Sequence, residues 1–279
     1  MRRFFLKEAR SIDTSGSRTY SRPAYGAAVE TVKAVSHIVP SGQTQWYPPV
    51  LIGAQTVEAH LFSQNYVERG IELMRRLTPD DYTAFLIQFF SDGLSRFGRN
   101  WRYADIVTVL SCLADLLAPK RYLEIGVRRG RSVAAVVSAN PECELVMFDM
   151  WVEGYAGMEN PGPDFVRQEL KRIGHCGDMK FIDGDSHVTV PLYFARNPGE
   201  SFDLITVDGD HTLEGAVQDL CDVLPRLKIG GAIVFDDVCH PIHPELGKVW
   251  HEVVASDPRY SAFTYADCGY GVGCAVRKY

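Results

Sequence analysis

Five short apolar runs alternate with amphipathic segments after Leu117, and this alternation constrains the fold more than any other feature of the chain. The runs are RYLEIGV, ELVMFD, MKFIDGD, FDLITVDGD and GAIVFDD. Strands that alternate with helices favour right-handed βαβ units and a parallel sheet. The C-terminal stretch SAFTYADCGYGVGCAVRKY instead has two apolar segments around a glycine-rich turn, which predicts an antiparallel hairpin. We therefore predict an α/β protein with a doubly wound, Rossmann-like, mostly parallel sheet of about seven strands.

A helical extension is predicted ahead of this sheet. Residues 51–118 have apolar side chains at helical spacing. One helix is predicted to start with Thr78 as its N-cap and Pro79 as its first residue, and a further helix is predicted over residues 103–117. Residues 119–279 then form the α/β domain. The extension also makes a homo-oligomer a reasonable expectation.

The first 50 residues are predicted to be an irregular N-terminal arm, because Ser, Thr, Gly and Pro recur through residues 1–50. Two alternatives stay open for this arm. It is either mobile, or it packs on a partner subunit or over the active site, since Tyr25, Trp46 and Tyr47 are costly to leave exposed.

Composition excludes several classes of protein. The net charge is −6 and no Lys/Arg-rich stripe is present, so nucleic acid is not expected as a partner. No apolar run approaches the ~18–20 residues of a membrane span. The seven cysteines are scattered and include no C-x-x-C pair, which disfavours a disulfide framework and a structural zinc site. We expect a soluble, cytoplasmic protein.

A glycine-rich turn follows the first predicted strand, in the stretch LEIGVRRGRS from Leu123 to Ser132. Such a turn lets the backbone approach a ligand closely and aims helix N–H groups at it. The motif is E-x-G-x-x-x-G, with Gly126 and Gly130, and not the G-x-G-x-x-G of dinucleotide-binding proteins. An NAD-dependent dehydrogenase is therefore disfavoured, and the missing Lys-Ser/Thr pair disfavours a P-loop.

Polar residues also follow the next two predicted strands. Asp149 ends the second strand, and an acid at this place can accept both hydroxyls of a ribose. Asp185 and Ser186 follow the third strand and could read the edge of an adenine. Each residue alone is an ordinary turn residue, but together they mark the crevice where open α/β sheets bind ligands.

Several acids follow the fourth and fifth predicted strands. Asp208-Gly-Asp210-His211 ends the fourth strand, and Asp236-Asp237 ends the fifth. Carboxylates crowded in a cleft repel one another, and a hard divalent cation is the usual resolution. Oxygen ligands favour Mg²⁺ or Ca²⁺ over zinc. The alternative for Asp210 is a structural cap on the following helix.

Taken together, these motifs resemble those of the class I S-adenosylmethionine (SAM) dependent methyltransferases over residues 121–279. The resemblance implies that the glycine loop holds the methionine part of SAM, the acid after the second strand the ribose, and the residues after the third strand the adenine. The implied cofactor-binding residues are Glu124, Gly126, Gly130, Ser132, Asp149, Asp185 and Ser186.

The acids after the fourth and fifth strands resemble those of metal-dependent O-methyltransferases that act on sugar hydroxyls of macrolides and other glycosides, and more distantly the catechol-type enzymes. This resemblance implies that Asp208, Asp236 and Asp237 bind Mg²⁺ and that His211 acts as the base at the catalytic site beside Asp208. Some relatives have Glu-Asp in place of Asp236-Asp237, so which of the two contacts the metal stays open. The implied acceptor is a small molecule, with a sugar hydroxyl as the methylated group.

Two other functions stay open on the same scaffold. Members of the cephalosporin hydroxylase family resemble methyltransferases, and His211 with His240 or His243 would suit an iron site of two histidines and one carboxylate. A non-catalytic SAM-binding protein is the other alternative. The Gly- and Pro-containing segment after the second strand, with Trp151, Tyr155 and Asn160, is predicted to be a loop at the position of a lid.

Overall fold

A computed structural model describes residues 49–154 and 157–279 of the chain. The predicted N-terminal arm lies outside the described residues except for its last two positions, and Tyr155 lies outside them as well. The strands are β1 (Arg121–Ile125), β2 (Glu144–Asp149), β3 (Met179–Asp183), β4 (Phe202–Val207), β5 (Leu227–Asp236), β6 (Tyr260–Tyr265) and β7 (Val272–Arg277).

These seven strands form one sheet in the order β3-β2-β1-β4-β5-β7-β6. Strands β1 to β5 are parallel, whereas β7 runs antiparallel to both β5 and β6. The predicted α/β class, the mostly parallel sheet and the C-terminal hairpin are confirmed. The strand order reverses between β1 and β4, which is where open sheets of this kind bind ligands.

Nine α-helices accompany the sheet in the described residues. They are α1 (Ala54–Ser63), α2 (Tyr66–Arg76), α3 (Asp81–Phe97), α4 (Ile106–Leu117), α5 (Arg131–Ala139), α6 (Pro163–Arg172), α7 (Ser186–Arg196), α8 (Leu213–Val223) and α9 (Glu245–Trp250). The first four precede β1, so a helical portion precedes the sheet as predicted.

The apolar core lies on both faces of the sheet. Successive strand residues point to opposite faces, and accordingly Tyr122 joins one buried cluster while Leu123 and Ile125 join the other. Helices α4 and α5 cover the first face, and α7, α8 and α9 cover the second. Burial on both faces explains why the parallel strands read as continuous apolar runs in the sequence.

The start of α3 differs from the sequence-based prediction. Asp80, not Thr78, is the N-cap, because its carboxylate accepts a hydrogen bond of 2.8 Å from the amide of Thr83. The amide and hydroxyl of Thr78 instead donate to the Glu169 carboxylate of α6, at 2.6 and 2.8 Å. The predicted cap was wrong because a distant carboxylate competes for Thr78, which local spacing does not reveal.

The start of α4 also lies later than predicted. The helix begins at Ile106, and Asp105 caps it in a reciprocal capping box with Thr108. Tyr103 lies before the helix and packs its ring against Trp101, with centroids 4.7 Å apart. Among the helices of residues 49–154 and 157–279, none combines the length and the apolar character needed to cross a membrane.

Candidate active site

The glycine loop after β1 lies against the end of β4. Gly126 has a φ of +87°, and a Cβ built on it would lie 1.8 Å from the carbonyl oxygen of Asp208. The Gly126 amide donates to the carbonyl of Phe148 in β2, and the Asp208 amide donates to that of Ile125, both at 2.9 Å. The ends of three neighbouring strands are therefore joined by main-chain contacts at the predicted cofactor crevice.

Glu124, in β1 directly before this loop, is fully buried. Its carboxyl group accepts hydrogen bonds from the hydroxyls of Tyr122 and Ser132, the latter at 2.5 Å. The Tyr122 hydroxyl also bonds to that of Thr206 in β4. Burial outweighs these two hydrogen bonds, which lower the pKa of Glu124, so that the pKa is raised to about 8. Glu124 and Ser132 thus form a buried polar network that fixes the loop to the sheet.

This network predicts a pH dependence of stability. The folded state keeps a proton on Glu124 at pH values between the ordinary pKa of 4.5 and about 8, whereas the unfolded chain does not. The free energy of unfolding should therefore fall as the pH rises through this window. Urea unfolding at pH 5 and pH 8.5 would measure the difference in the free energy of unfolding between the two pH values. We expect this difference to be smaller in Glu124→Gln than in the wild type, by on the order of a few kcal/mol. Equal slopes in both proteins would contradict the assignment.

Asp149 holds the same loop from the other side. One carboxylate oxygen accepts from the amides of Val127 and Arg128, at 2.9 and 2.7 Å. The other accepts from the amide of Trp151 at 2.6 Å and the side chain of Asn160 at 3.3 Å. A carboxylate offers about four acceptor positions, so a ribose at Asp149 must share or displace one of these donors. The ribose role of Asp149 stays a prediction.

Buried polar atoms without hydrogen-bond partners surround Asp149. Within residues 49–154 and 157–279 they include Trp151 Nε1, Asn160 Oδ1 and Arg128 Nη2. Buried polar groups are seldom left unpaired in a protein. Two donors and one acceptor beside the glycine loop fit a polar organic ligand such as SAM, which offers partners of both kinds.

The two residues predicted to flank the adenine have local hydrogen bonds as well. Asp185 is the N-cap of α7 and accepts from the amide of His187 at 2.9 Å. Ser186 begins the helix and bonds to the buried carboxylate of Asp219, which lowers the otherwise raised pKa of that acid. Both lie at the carboxyl end of β3, so the place of the predicted adenine contacts matches the crevice, while the contacts themselves stay a prediction.

The acids after β4 and β5 meet in one cluster. His211 Nε2 lies 3.5 Å from Asp208 Oδ1 and 3.8 Å from Asp237 Oδ2. Asp208, His211 and Asp237 each offer a ligand atom, and these atoms all lie within 4.8 Å of one another. Asp236, the last residue of β5, is not in this group. Asp237 has a φ of +61°, an uncommon conformation that turns the chain directly after the strand.

Burial and mutual repulsion both disfavour ionisation of the acids in this cluster. Burial, together with the neighbouring Asp208 carboxylate, raises the pKa of Asp237 to about 7. Burial and the same neighbour raise the pKa of Asp236 well above its usual range. The Asp208 carboxylate raises the pKa of His211. Carboxylates that resist ionisation together, with oxygen ligands converging, suit a small hard cation such as Mg²⁺.

His240 and His243 lie beside this cluster in the loop after β5. The ring centroids of His243 and His211 are 5.2 Å apart, and His240 packs against Tyr270 of the β6–β7 turn at 4.6 Å. Neither His240 nor His243 belongs to a group of three convergent ligand atoms in the described part of the chain. The geometry thus gives the iron site of two histidines and one carboxylate no support.

Two arginines and a tyrosine at this site were not predicted from the sequence. Arg128 and Arg131 extend from the glycine loop to the ring of Tyr82 in α3. The letters R-R-G-R were visible in the loop, but no local pattern connects them to a helix that lies more than 40 residues earlier.

Part of the chain matches a known protein family. Residues 123–238 match the family model described as "Methyltransferase domain". No curated protein matches the chain significantly. The O-methyltransferase NovP has a similar structure, with a TM-score of 0.53 and 15% identity over 77% of this chain and 98% of that one.

Two further solved structures are similar at lower scores. CalS11, described as a TDP-rhamnose 3′-O-methyltransferase of calicheamicin biosynthesis, has 22% identity over 76% of this chain and 92% of that one, with a TM-score of 0.47. An O-methyltransferase from Bacillus cereus in complex with SAH has 17% identity over 81% of this chain and 96% of that one, with a TM-score of 0.49. Residues 123–238 of this chain are therefore a methyltransferase domain.

Proposed function

We propose that this enzyme is a metal-assisted O-methyltransferase that transfers the methyl group of SAM to a hydroxyl of a small molecule, with a sugar of a glycoside or polysaccharide as the acceptor. The observation that carries the proposal is the convergence of Asp208, His211 and Asp237 at the strand ends that also hold the glycine loop. The sugar acceptor rests on the resemblance of the D-G-D-H and D-D motifs to sugar O-methyltransferases.

The residues of the crevice would have separate roles in the reaction. SAM supplies a methyl group that its sulfonium already activates. The glycine loop and Asp149 orient the cofactor, and the alignment of the acceptor oxygen with the methyl–sulfur bond provides much of the acceleration. His211 Nε2 would take the proton of the acceptor hydroxyl as the acceptor oxygen gains the methyl group, and S-adenosylhomocysteine (SAH) would be the product that leaves.

A divalent cation would be held by the carboxylates of Asp208 and Asp237, with Asp236 behind them. When bound, it would lower the pKa of the acceptor hydroxyl and offset the repulsion between the acids. Carboxylate oxygens are the preferred ligands of Mg²⁺, which leaves the imidazole of His211 available as proton acceptor.

Metal removal tests the assignment of the acidic cluster. We expect EDTA to abolish methyl transfer to a panel of glycosides and Mg²⁺ to restore it, while calorimetry gives an unchanged SAH affinity. NAD serves as the control ligand and should not bind. Full activity in EDTA would refute the metal-assisted mechanism, and the absence of SAH binding in every metal condition would refute the methyltransferase proposal itself.

Replacement of His211 tests the proposed base. Loss of a general base typically lowers the rate by ~10²–10⁴-fold, and we expect such a fall in kcat for His211→Gln. The dissociation constant of SAH should stay within about threefold of the wild-type value. The control is His251→Gln, because the exposed His251 follows α9 and takes no part in the acidic cluster. Equal kcat values for both variants would show that His211 only packs at the site.

A further inference from the structure

A line of aromatic rings leads from the acidic cluster to the surface of the protein. The ring centroids of His211 and His240 are 6.3 Å apart, and those of His240 and Tyr270 are 4.6 Å apart. His243 packs beside this line, with its centroid 5.2 Å from that of His211 and 5.0 Å from that of His240. The His240 imidazole therefore connects Tyr270 to the proposed base.

The outer ring of this line is exposed on a tightly packed turn. Tyr270 is 49% exposed, and Gly269 and Gly271 on either side of it have φ values of +72° and +76°. A Cβ built on Gly271 would lie 2.8 Å from Val238 Cγ2 and 2.9 Å from the carbonyl oxygen of Tyr265. The two glycines thus let the main chain pack closely, while the ring of Tyr270 remains open to solvent.

Main-chain hydrogen bonds hold the loop after β5 against the same turn. The Cys239 amide donates to the carbonyl of Tyr270 at 2.6 Å, and the His240 amide donates to that of Asp237 at 3.0 Å. Neither bond uses the ring of His240 or of Tyr270. The main chain therefore fixes where both residues lie, and their rings can contact a ligand without loss of these bonds.

The two side chains combine ring faces with polar edges. His240 Nδ1 accepts a hydrogen bond of 3.2 Å from the Ile242 amide. An imidazole that accepts at Nδ1 carries its proton on Nε2, so His240 can donate one hydrogen bond to a ligand. The hydroxyl of Tyr270 can both donate and accept. A ligand on these rings thus meets apolar faces bordered by hydrogen-bonding groups.

A pyranose ring has the chemistry that matches this surface. Its faces present C–H groups, whereas its hydroxyls point outward around the rim. Aromatic side chains with a polar tip offer an apolar body to such faces and a hydrogen-bond partner to the hydroxyls. A purely apolar ligand would instead cover the polar edges of His240 and Tyr270 without giving them partners, which is unfavourable.

We propose that His240 and Tyr270 form an acceptor platform, on which a sugar ring lies flat while one of its hydroxyls reaches His211. The separation of 6.3 Å between the rings of His211 and His240 is of the size that one pyranose ring bridges. The delivery of a hydroxyl to His211 rests on the proposed function, whereas the binding of a sugar to the platform is measurable without methyl transfer. Tyr270 is then a residue that selects the acceptor.

The test measures sugar binding and methyl transfer separately. Saturation-transfer NMR with a panel of methyl glycosides of common hexoses and deoxyhexoses, in the presence of SAH and Mg²⁺, gives the affinity and the sugar protons in contact. We expect Tyr270→Ala to weaken binding by about tenfold and to reduce the transfer to ring C–H protons. The KM for the same glycoside should rise equally while kcat stays within about threefold, because the platform holds the sugar alike before and during the reaction.

Matched variants separate ring stacking from general damage. Tyr270→Phe and Tyr270→Trp keep a ring face and should retain most of the affinity. Phe97→Ala removes another exposed ring, which contacts Trp101 of the helical portion, and should bind the glycosides as the wild type does. Wild-type affinity in Tyr270→Ala, or an equal loss in Tyr270→Phe and Tyr270→Ala, would overturn the platform.

The outcomes also distinguish the platform from the proposed function. Binding of a glycoside that depends on the Tyr270 ring, in a protein that methylates no acceptor, would support the platform and refute the proposed function. Methyl transfer to an acceptor without a sugar, by a wild type that binds no glycoside of the panel, would overturn the platform and leave the methyltransferase activity in place.

Discussion

Asp208→Asn is expected to lower the rate of methyl transfer by at least ~10³-fold while it leaves the SAH affinity within about threefold. Asp208 faces both His211 and Asp237, so its carboxylate contributes to the proposed cation site and to the orientation of the proposed base. The substitution keeps the size of the side chain and the Asp208 amide bond to Ile125. Radiolabelled methyl transfer at saturating Mg²⁺, with parallel SAH calorimetry, measures both quantities.

Asp210→Asn is the matched control, because Asp210 lies in the same D-G-D-H segment but outside the cluster. Its carboxylate accepts from the amide of Thr212 at 2.7 Å, and an asparagine oxygen can accept the same bond. We expect less than about a tenfold loss of rate in this variant. If the two variants lost activity equally, the role of Asp208 would be structural.

Gly126→Ala is expected to destabilise the folded chain by about 3–5 kcal/mol and to abolish SAH binding. The added Cβ would lie 1.8 Å from the Asp208 carbonyl oxygen, and neither atom can rotate away because the main chain fixes the position of both. The φ of +87° adds strain for any residue with a Cβ. Urea unfolding followed by circular dichroism, with SAH calorimetry on the folded fraction, measures the two effects.

Gly98→Ala separates backbone strain from the steric clash. Gly98 ends α3 with a φ of +66°, and nothing lies within 4 Å of the Cβ that would be added. We expect a loss of only about 1–2 kcal/mol and unchanged SAH binding. A Gly126→Ala protein as stable as Gly98→Ala would mean that β1 and β4 separate easily at this point.

The sequence allowed the strands and the residues at their carboxyl ends to be predicted, because both depend on local patterns. A run such as FDLITVDGD indicates a buried strand and the polar residues at its end. Because β4 and β5 are parallel neighbours, the residues at their carboxyl ends, Asp208 and Asp237, were expected to lie close together. The sequence did not predict which of Asp236 and Asp237 joins the cluster of Asp208 and His211. That choice depends on the positive φ of Asp237, which no local pattern in the chain encodes.

Roles that depend on distant partners were beyond the sequence. Glu124 belongs to the predicted cofactor motif, yet it is fully buried and bonds to Tyr122, whose hydroxyl also bonds to Thr206 of the distant strand β4. Thr78 reads as a helix cap until the Glu169 carboxylate of another helix is placed beside it. In both cases a contact between residues far apart in the chain outweighs the local preference.

The contact between Gly126 and Asp208 also bears on how this enzyme can change during evolution. The joint between the cofactor loop and the acidic cluster consists of main-chain atoms, so only Gly126 is restricted to one amino acid by it. The loop after β5 and the β6–β7 turn lie outside this joint and are tied to each other by the Cys239 amide and the Tyr270 carbonyl. Apart from Asp237, residues of those two segments can therefore be substituted without disturbing the main-chain joint between the glycine loop and the acidic cluster.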